Sequence, residues 1–545
     1  MLLLTGKQSK FADEYTQDEI GIPGLVLMER AALKVAEHVE HLIRTGKCPS
    51  GSGAVLAVAG MGNNGADALA ATRILSRRGI KTKTIIAGDF EKRTSSMGIQ
   101  MDIAEGLGVH FEIVSPEEAL HYYREYIRDG VGIVLDGLFG VGLTREITGG
   151  YKELIKAVNE TRNVYKIGVD VPSGIDCGTG RVLGCAVKCD ETVTFGELKY
   201  GLVIDEGREY AGEVYAEDIG IEKPDKFPDD EPVHCSMSRK CLKGYLPYRD
   251  RNSNKGTYGK ILIVAGNDDI YGAAYLSAAA AYGMGAGLVK VFTSEKNRDN
   301  LMKMLPEAMV SCYTKDSLED SGLTQLGNDI KWADVIVCGP GLGCDETSRK
   351  ILETVVSAET QKAGKGKTLI LDADAINIAA SDTKLLEKAS ESYKGRVVIT
   401  PHMLEMSRIS GESIEKIRED RGRAALNLAE KYKIAVVLKD ARTHSAIWDC
   451  DLENLFVNLT GNSGMSKGGS GDVLTGIMAA FYAGWRNVFD QHDITEYDDV
   501  ARAHFLKVAA AAVMLHGLAG DKAAEKKGQY GMLAGDIIDA IKEVI

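Results

Sequence analysis

A glycine-rich loop near the carboxyl end of the chain has the composition of a phosphate-transfer site. Segment 462–472 reads Asn-Ser-Gly-Met-Ser-Lys-Gly-Gly-Ser-Gly-Asp and continues into apolar residues at helical spacing. We expect Gly468, Gly469 and Gly471 to precede a helix, where unpaired backbone N–H groups bind anions and glycine lets a phosphate approach. Asp472 would lie beside that anion, where a general base takes the proton of an attacking hydroxyl. The alternative is an ordinary loop whose Asp caps a helix.

Six further segments accompany this loop within residues 240–545, and the sequence contains no Walker A motif. They read Lys255-Gly-Thr-Tyr-Gly259, Gly283-Met-Gly-Ala-Gly-Leu-Val289, Gly339-Pro-Gly-Leu-Gly343, Leu371-Asp-Ala-Asp-Ala-Ile-Asn377, Thr400-Pro-His-Met-Leu-Glu405 and Val437-Leu-Lys439. With the loop, they make this half resemble the ribokinase superfamily and, within it, the NAD(P)H-hydrate dehydratase family.

The resemblance implies that this half phosphorylates and dehydrates a hydrated nicotinamide, with Asp472 as the base in contact with the hydrated ring. ADP or ATP, accompanied by Mg²⁺, would be held by Lys439, Asp440, Ala441, Arg442, Thr443, Asn462, Ser463, Gly464, Met465, Ser466, Lys467, Gly468, Gly469, Ser470 and Gly471. The hydrate pocket would be lined by Ala274, Gly341, His402, Met403, Leu404, Glu405, Met406, Ser407 and Arg408. Asp440 departs from the family, which usually has glycine there.

A second glycine-rich segment, Gly60-Met-Gly-Asn-Asn-Gly-Ala-Asp67, follows an apolar strand and precedes a helical stretch. Its glycines satisfy the dinucleotide-binding fingerprint, which indicates a pyrophosphate at the helix N-terminus. Asp89 lies near the position of a ribose ligand in such folds. An ordinary nicotinamide oxidoreductase is therefore one interpretation of this half.

Oxygen-bearing side chains at three predicted strand ends favour a different site. Asn63 and Asn64 bring amide oxygens into the glycine-rich segment, Asp136 ends a second strand, and Asp170 and Ser173 end a third. Ligand groups at the carboxyl ends of neighbouring parallel strands converge in one crevice. Such a set suits a hard cation or a polar substrate better than a bare phosphate. Three unrelated turns that use these residues for backbone reasons are the alternative.

These segments, with Thr192-Val-Thr-Phe-Gly196 and Lys199-Tyr-Gly201, resemble the NAD(P)HX epimerase family over about residues 8–220. The resemblance implies a K⁺ ion bound by Asn64, Asp136 and Ser173, and a set with one formal charge suits a large monovalent ion better than Mg²⁺. The hydrated cofactor would contact Asn63, Asn64, Gly65, Ala66, Asp67, Gly140, Val141, Gly142, Leu143, Thr144, Arg145, Glu146 and Asp170. Inversion of the hydroxyl-bearing carbon needs an acid or a base. Asp136 and Asp170 are the candidates, and Asp170 is the residue we predict.

Both halves alternate apolar strands with amphipathic helical stretches, for example 66–78 and 422–431. The predicted strands are 54–59, 83–87, 132–135 and 166–171 in the first half, and 260–265, 288–292, 335–338, 368–371, 396–399 and 434–438 in the second. Continuous apolar strands between helices predict parallel sheets covered on both faces. The expected fold class is α/β, a Rossmann-like three-layer αβα domain followed by a ribokinase-like αβα domain.

A proline-containing, charged segment lies between the halves. Residues 222–232 hold three prolines and seven charged side chains, a composition that cannot bury a core and suits a linker. We therefore predict an epimerase domain over 1–221, a linker over 222–234 and a dehydratase domain over 235–545.

Charge, cysteine content and hydropathy predict the partners and the cellular location of the protein. The net charge of −13, without a Lys/Arg-rich run, argues against a nucleic-acid or anionic-membrane partner. The ten cysteines form no CxxC pair or zinc-type cluster, so we expect reduced thiols. Neither a signal-peptide pattern nor a run of membrane-spanning length is present, which predicts a cytoplasmic protein. We also expect a homo-oligomer.

Together, the two resemblances imply repair of hydrated NADH and NADPH, called NADHX and NADPHX. The first domain would interconvert the R and S epimers, and the second would dehydrate the S epimer with ADP or ATP. Phosphoryl transfer explains the kinase-like fold, because phosphate is a better leaving group than hydroxide. Two alternatives are a pyrimidine- or thiazole-type small-molecule kinase, and a cofactor sensor whose first domain only binds its ligand.

Overall fold

The computed structural model describes residues 1–47, 53–227, 232–246, 249–358, 366–448, 454–489 and 499–545. The chain divides into two compact units, Met1–Glu231 and Pro232–Ile545. The division falls within the predicted linker, of which residues 228–231 lie outside the described residues. Each unit is built from alternating strands and helices, and the predicted α/β class is confirmed.

Unit 1 contains nine strands and seven α-helices within its described residues. The strands are β1 (Leu2–Leu4), β2 (Val55–Ala59), β3 (Thr82–Ala87), β4 (Glu112–Val114), β5 (Ile133–Gly137), β6 (Tyr165–Val169), β7 (Glu191–Phe195), β8 (Leu198–Lys199) and β9 (Glu213–Glu217). The helices are α1 (Gly6–Asp18), α2 (Gly24–Thr45), α3 (Asn63–Arg77), α4 (Ser95–Gly106), α5 (Pro116–Arg128), α6 (Gly149–Glu160) and α7 (Asp205–Ala211).

The sheet of unit 1 has the order β4-β3-β2-β5-β6-β7-β9, and all its strand pairs are parallel. Successive residues of β2 face opposite cores, as the twofold repeat of a strand requires. Val55 and Ala57 pack in the core that includes α2 and α3, whereas Leu56 and Val58 pack with α5 and α6. The chain leaves β2 towards β3 on one side, and β5 lies on the other side. This arrangement creates a crevice at the carboxyl ends of β2 and β5, where ligands bind in folds of this kind.

Unit 2 contains ten strands and thirteen α-helices within its described residues. The strands are β10 (His234–Cys235), β11 (Lys260–Val264), β12 (Leu288–Ser294), β13 (Met309–Tyr313), β14 (Val335–Cys338), β15 (Thr368–Leu371), β16 (Val397–Ile399), β17 (Ala435–Leu438), β18 (His444–Ala446) and β19 (Leu455–Val457). The helices are α8 (Arg239–Tyr245), α9 (Gly272–Gly283), α10 (Arg298–Met304), α11 (Leu323–Trp332), α12 (Glu346–Val356), α13 (Asp374–Ser381), α14 (Lys384–Ser392), α15 (Met403–Ser410), α16 (Ile414–Glu419), α17 (Arg421–Tyr432), α18 (Ser470–Phe489), α19 (Asp499–Gly531) and α20 (Ala534–Val544).

The strands of unit 2 are ordered β13-β12-β11-β14-β15-β16-β17-β18-β19-β10. The pairs from β13 to β17 are parallel, whereas β18 is antiparallel to both β17 and β19. Helix α18 buries Val473, Leu474, Ile477 and Phe481, the apolar residues whose spacing predicted a helix. Because β14, β15, β16 and β17 are parallel, the loops that follow them lie at one edge of the sheet.

Helix α19 combines length with apolar composition. The stretch Val500–Gly531 is long and apolar enough to cross a membrane by composition alone, but 89% of its most apolar window is buried inside the protein. It therefore has the character of a core helix of unit 2. Its last turn is interrupted at Gly528, whose φ of 71° is left-handed.

Candidate active sites

The carboxyl edge of the unit 1 sheet carries an open cleft of about 1010 Å³. Ten of the residues predicted to contact the hydrated cofactor line it: Asn63, Asn64, Asp67, Gly140, Val141, Gly142, Leu143, Thr144, Arg145 and Asp170. The lining also includes Asp89 and Lys92, which follow β3. The remaining predicted contacts, Gly65, Ala66 and Glu146, do not line the cleft. Gly65 and Ala66 are instead buried in the first turns of α3.

The glycines of the first loop allow the backbone to pack closely. A Cβ atom on Gly60 would collide with the carbonyl oxygen of Leu138, and one on Gly65 would collide with the carbonyl oxygen of Gly60. The N–H of Gly60 also donates to the carbonyl of Gly137 at 3.0 Å, which ties the ends of β2 and β5 together. These glycines therefore hold two strand-end loops against each other.

The three predicted cation ligands are linked through one loop. Ser173 donates from its backbone N–H to Asp136 Oδ2 (2.7 Å) and from Oγ to Asp136 Oδ1 (2.5 Å). The backbone N–H of Phe139 donates to Ser173 Oγ at 2.9 Å, and Asn64 Nδ2 donates to the Phe139 carbonyl at 3.0 Å. Asn64, Asp136 and Ser173 therefore belong to one hydrogen-bonded group at the ends of β2, β5 and β6.

Two features of this group match an oxygen-lined cation site. Asn64 Oδ1 is buried and accepts no hydrogen bond within the part of the chain that the structure describes. Burial raises the pKa of Asp136 to about 6, although its hydrogen bonds from Ser173 act in the opposite direction. A cation at these oxygens would satisfy the amide and favour the ionised carboxylate. The donor set therefore fits a monovalent ion.

Asp170 is held by a strained backbone and by three donors. Its φ of 61° lies in the left-handed region, which non-glycine residues adopt rarely. Its Oδ1 accepts from Thr194 Oγ1 (3.0 Å) and the Phe195 N–H (3.2 Å), and Lys199 Nζ lies 2.7 Å away. Because Lys199 is itself buried, the pair is an anchored ion pair at the wall of the cleft.

Residues from α1 also reach the cleft, and these were not predicted. Asp13 and Gln17 line it, with Gln17 Nε2 donating to Asp13 Oδ2 at 2.8 Å. Lys199, from the Lys199–Gly201 segment of the family resemblance, also lines the cleft, although the resemblance implies no role for it. Asp13 lies more than forty residues before the glycine-rich loop and carries no motif, so only the three-dimensional structure brings it to the cleft.

In unit 2, Asp472 lies in the first turn of α18, directly after the glycine-rich loop. Burial first, and the charge of Asp372 second, raise its pKa to about 6, while Lys439 acts in the opposite direction. A Cβ on Gly471 would lie 3.4 Å from Lys439 Nζ and 3.7 Å from Asp372 Oδ2. The start of α18, the carboxylate of Asp372 and the ammonium group of Lys439 therefore lie next to one another.

Asp372 anchors the strand-end side of this site. It follows β15 and is almost fully buried, and its Oδ1 accepts hydrogen bonds from Lys439 Nζ and Thr400 Oγ1, the latter at 2.6 Å. These three residues follow β15, β17 and β16 respectively. The segment around Asp372 is one of those that carry the family resemblance, but only the strand register brings Asp372 and Lys439 together.

Several predicted nucleotide contacts are engaged in structural hydrogen bonds. Asn462 Nδ2 donates to Asp521 Oδ1 at 3.0 Å, and Lys467 Nζ donates to the carbonyls of Tyr530 (2.7 Å) and Met532 (2.6 Å). Arg442 donates to the Leu459 carbonyl at 2.6 Å. The bonds from Asn462 and Lys467 fasten the loop to α19 and to the residue that follows it, which leaves the backbone N–H groups of the loop as the groups available to a phosphate.

Of the residues predicted to line the hydrate pocket, some are buried in the core, and the others lie at α15 or in the loop after β14. Ala274 and Met406 are fully buried, so their side chains belong to the core in this conformation. His402 begins α15 and donates from its N–H to Glu405 Oε2 at 2.8 Å, and burial raises the pKa of Glu405 to about 7. Gly341 has a left-handed φ of 60° after β14. Met403, Leu404, Ser407 and Arg408 lie on α15 with Glu405.

Comparison with known proteins covers both units. The family model described as NAD(P)H-hydrate dehydratase matches residues 261–543, and the model described as YjeF-related protein N-terminus matches residues 24–201. A bifunctional NAD(P)H-hydrate repair enzyme of Moorella thermoacetica is 32% identical, over 100% of this chain and 97% of that protein. One from Thermofilum pendens is 33% identical, over 98% of this chain and 94% of its own.

Among solved structures, a ribokinase-like superfamily protein from Enterococcus faecalis is 31% identical. The match covers 57% of this chain and 96% of that protein, with a TM-score of 0.47.

Proposed function

The chain belongs to the bifunctional NAD(P)H-hydrate repair enzymes, and from that premise we propose how its two units divide the work. The protein epimerises the hydrates of NADH and NADPH and dehydrates them. We assign epimerisation to the domain predicted over 1–221 and dehydration to the domain predicted over 235–545. The observation that carries this assignment is Asp472, a partly buried acid at the start of α18 beside Lys439 and the glycine-rich loop.

In unit 2, Asp472 takes the proton from the ring hydroxyl as its oxygen attacks the terminal phosphorus of the nucleotide. The new C–O–P linkage then breaks at carbon, and phosphate leaves with the bonding electrons where hydroxide would leave poorly. The neighbouring ring carbon gives up a proton to water as the C=C bond of the reduced nicotinamide is restored. The backbone N–H groups of Gly468, Gly469 and Gly471 lie where the start of α18 attracts phosphate. Lys439, which is already close to Gly471, adds a positive charge.

Mg²⁺ would accompany the nucleotide and screen its phosphate charge. Within the described ranges, no group of three or more His, Cys, Asp or Glu side chains is arranged to hold a metal ion. The ion would be held mainly by phosphate oxygens, to which Asp372 or Asp374, whose charges both act on Asp472, would add a carboxylate. Of the two donors that the resemblance implies, we propose ADP. Cytoplasmic location and homo-oligomer formation also remain proposals.

In unit 1, we propose that K⁺ binds to Asn64, Asp136 and Ser173. The unpartnered Asn64 Oδ1 and the buried Asp136 carboxylate support the assignment, because both gain a partner when the cation binds. The ion would order the strand-end loops around the polar groups of the hydrate. Asp170, held by its three donors, would face the hydrated ring and stabilise positive charge on it.

The overall assignment is tested by giving the full chain hydrated NADH with Mg²⁺ and either ADP or ATP, and following the return of NADH absorbance. We expect the S epimer to be dehydrated quickly and the R epimer to follow at the rate of epimerisation. Absence of NADH formation with both nucleotides would contradict the dehydratase assignment. Faster turnover with ATP than with ADP would contradict only the proposed donor.

The cation is tested by Asp136→Ala, with the exposed Asp102→Asn on α4 as the control. We expect Asp136→Ala to lose epimerisation and to keep the nucleotide-dependent step, because the two units have separate cores. Potassium should also raise the thermal unfolding midpoint of unit 1 in the parent protein, relative to tetramethylammonium, and not in Asp136→Ala. A parent midpoint that is insensitive to potassium would argue that Asp136 binds substrate directly.

A further inference from the structure

The cleft of unit 1 contains acidic side chains beyond those of the proposed cation site and of the Asp170–Lys199 ion pair. Asp13 on α1, Asp67 on α3 and Asp170 after β6 all line it, together with Lys199 of β8. The charges of Asp13 and Asp170 both act on Asp67, so the three carboxylates lie close enough to influence one another. The apolar side chains of Leu27, Met28 and Phe195 line the same cleft, so it can also accept a ring.

Asp170 is poorly suited to moving protons in this group. Its Oδ1 already accepts from Thr194, from the Phe195 N–H and from Lys199. Three donors, one of them cationic, therefore occupy this oxygen. Asp170 is held against the wall of the cleft by these contacts, and another group is better placed to exchange the proton.

Asp13 and Asp67 have the opposite surroundings. No cation pairs directly with either carboxylate within the described residues, and Asp67 accepts no side-chain hydrogen bond there. Burial raises the pKa of both, and so does the charge of Asp170. Glu14 also raises the pKa of Asp13, whereas Gln17 and Lys199 lower it; Lys199 lowers the pKa of Asp67 as well. The pKa of each carboxyl is thus raised above its ordinary value, which favours a carboxyl that can carry a proton in the cleft.

The position of Asp13 is fixed by its surroundings. Gln17, one turn later on α1, donates to Asp13 Oδ2 at 2.8 Å. Gln17 itself lies against Gly24 at the start of α2, where a Cβ atom would collide with its amide oxygen. The glycine therefore leaves room for the glutamine that orients the aspartate. This arrangement joins α1 and α2 and is distinct from the cation-binding loops.

We propose that Asp13 and Asp67 are the acid–base pair that inverts the hydroxyl-bearing carbon of the hydrate. The inference rests on the epimerase function assigned to unit 1. One carboxyl, in its acid form, gives its proton to the ring hydroxyl as the C–O bond breaks, and water leaves. The ring nitrogen lone pair forms a C=N bond, and Asp170 stabilises the resulting cation. Water then adds to the opposite face and gives its proton to the other carboxylate.

This scheme is balanced and reversible. One water leaves and one enters, and no oxidant or reductant is needed. The pair starts with one proton and ends with one proton, but on the other aspartate, so the reverse direction uses the same residues with their roles exchanged. Departure from one face and entry at the other call for two carboxyl groups, and α1 and α3 each supply one to the cleft.

The test uses the full chain with a mixture of R and S hydrates, ADP and Mg²⁺. The fast phase of NADH recovery reports dehydration of the S epimer, and the slow phase reports epimerisation after subtraction of the enzyme-free rate. We expect Asp13→Asn and Asp67→Asn each to slow the second phase by about 100-fold and to leave the first unchanged. The control is Asp18→Asn, which removes an exposed charge from the same helix outside the cleft.

Isotopic labelling distinguishes chemistry from folding. Without nucleotide, each epimerisation in heavy-oxygen water should place one labelled oxygen in the recovered hydrate, and both variants should lose this exchange in parallel with the rate. We also expect a bell-shaped pH profile in the parent protein, from which each variant loses one limb. Should a variant unfold, Asp13→Glu and Asp67→Glu provide the test, since a longer carboxylate should restore part of the exchange.

Three outcomes separate the proposals. A folded Asp13→Asn or Asp67→Asn variant that keeps most of the parent rate would overturn the assignment of that residue. Epimerisation by the parent protein without oxygen exchange would show that the C–O bond stays intact, and would overturn the scheme. A parent protein that does not accelerate epimerisation at all would instead refute the epimerase function of unit 1.

Discussion

Replacement of Asp472 by asparagine separates catalysis from binding in unit 2. The change keeps the shape of the side chain and removes the base. The hydroxyl of Thr475 donates to the backbone carbonyl of Asp472, not to its carboxylate, so that bond survives. General-base catalysis is worth about 100-fold or more, so we expect turnover to fall by at least that factor. Nucleotide affinity should stay within about tenfold, because the loop N–H groups and Lys439 are unchanged.

The same substitution should stabilise the fold. Burial first, and the charge of Asp372 second, raise the pKa of Asp472 from 3.8 to about 6. A difference of about two pKa units corresponds to roughly 3 kcal/mol, by which the folded state disfavours the ionised carboxylate. The penalty is absent below the unfolded pKa, grows as pH rises towards the folded pKa, and is complete above it. Asparagine removes it, so the gain should appear at neutral pH and vanish near pH ~4.

Two measurements on the full chain test both parts. Single-turnover recovery of NADH gives the rate, and calorimetry in neutral and acidic buffer gives the unfolding midpoint of unit 2. We expect the midpoint of Asp472→Asn to rise by several degrees in neutral buffer only. Asp539→Asn, an exposed change on α20, should alter neither quantity. A variant that keeps most of its turnover, or that is destabilised in neutral buffer, would refute the role and surroundings assigned to Asp472.

Two further predictions concern the independence of unit 2 and the geometry of its loop. A chain that starts near Val233 retains β10, which pairs with β19 at Cys235 and Phe456. It should fold and dehydrate only the S epimer. Equal rates for both epimers, after correction for spontaneous epimerisation, would contradict the assignment of epimerisation to unit 1. Gly469→Ala should destabilise unit 2 by about 1–3 kcal/mol and weaken nucleotide binding, because φ is 95° and the new Cβ would lie 2.6 Å from Leu276 Cδ1. Gly468→Ala meets no atom within 4 Å, so its unfolding midpoint should equal that of the parent; equal midpoints for both variants would contradict the strain argument.

The strands were the most predictable part of the fold. Val335–Cys338 and Thr368–Leu371 have the bounds that the sequence predicts, because each is a short apolar run ended by a turn residue. Helix α3 starts at Asn63, three residues before the predicted stretch. Apolar periodicity does not detect this first turn, because Asn63 and Asn64 line the cleft and Gly65 has no side chain.

The candidate sites were predictable where residues follow strands. Asp136 and Ser173 were identified because the carboxyl ends of neighbouring parallel strands converge, and their side chains do hydrogen-bond to each other. Asp13 was not identified, because helix α1 carries no motif and its position depends on packing against α2 through Gln17 and Gly24. The anchoring of Asp170 by Lys199 likewise depends on burial, which the sequence does not specify.

Asp440 illustrates how local structure accommodates a departure from a family pattern. Glycine at this position would matter if the backbone were left-handed, but Asp440 is not among the residues with positive φ. Its Oδ2 lies 2.8 Å from Nε of the buried Arg421, and its Oδ1 accepts from the N–H of Ala441. The carboxylate of Asp440 is therefore engaged by α17. Lys439 instead donates to Asp372, and both lie near Gly471 at the start of α18. An acid that is neutralised in this way adds little repulsion to an incoming phosphate, so the substitution is compatible with nucleotide binding at Lys439.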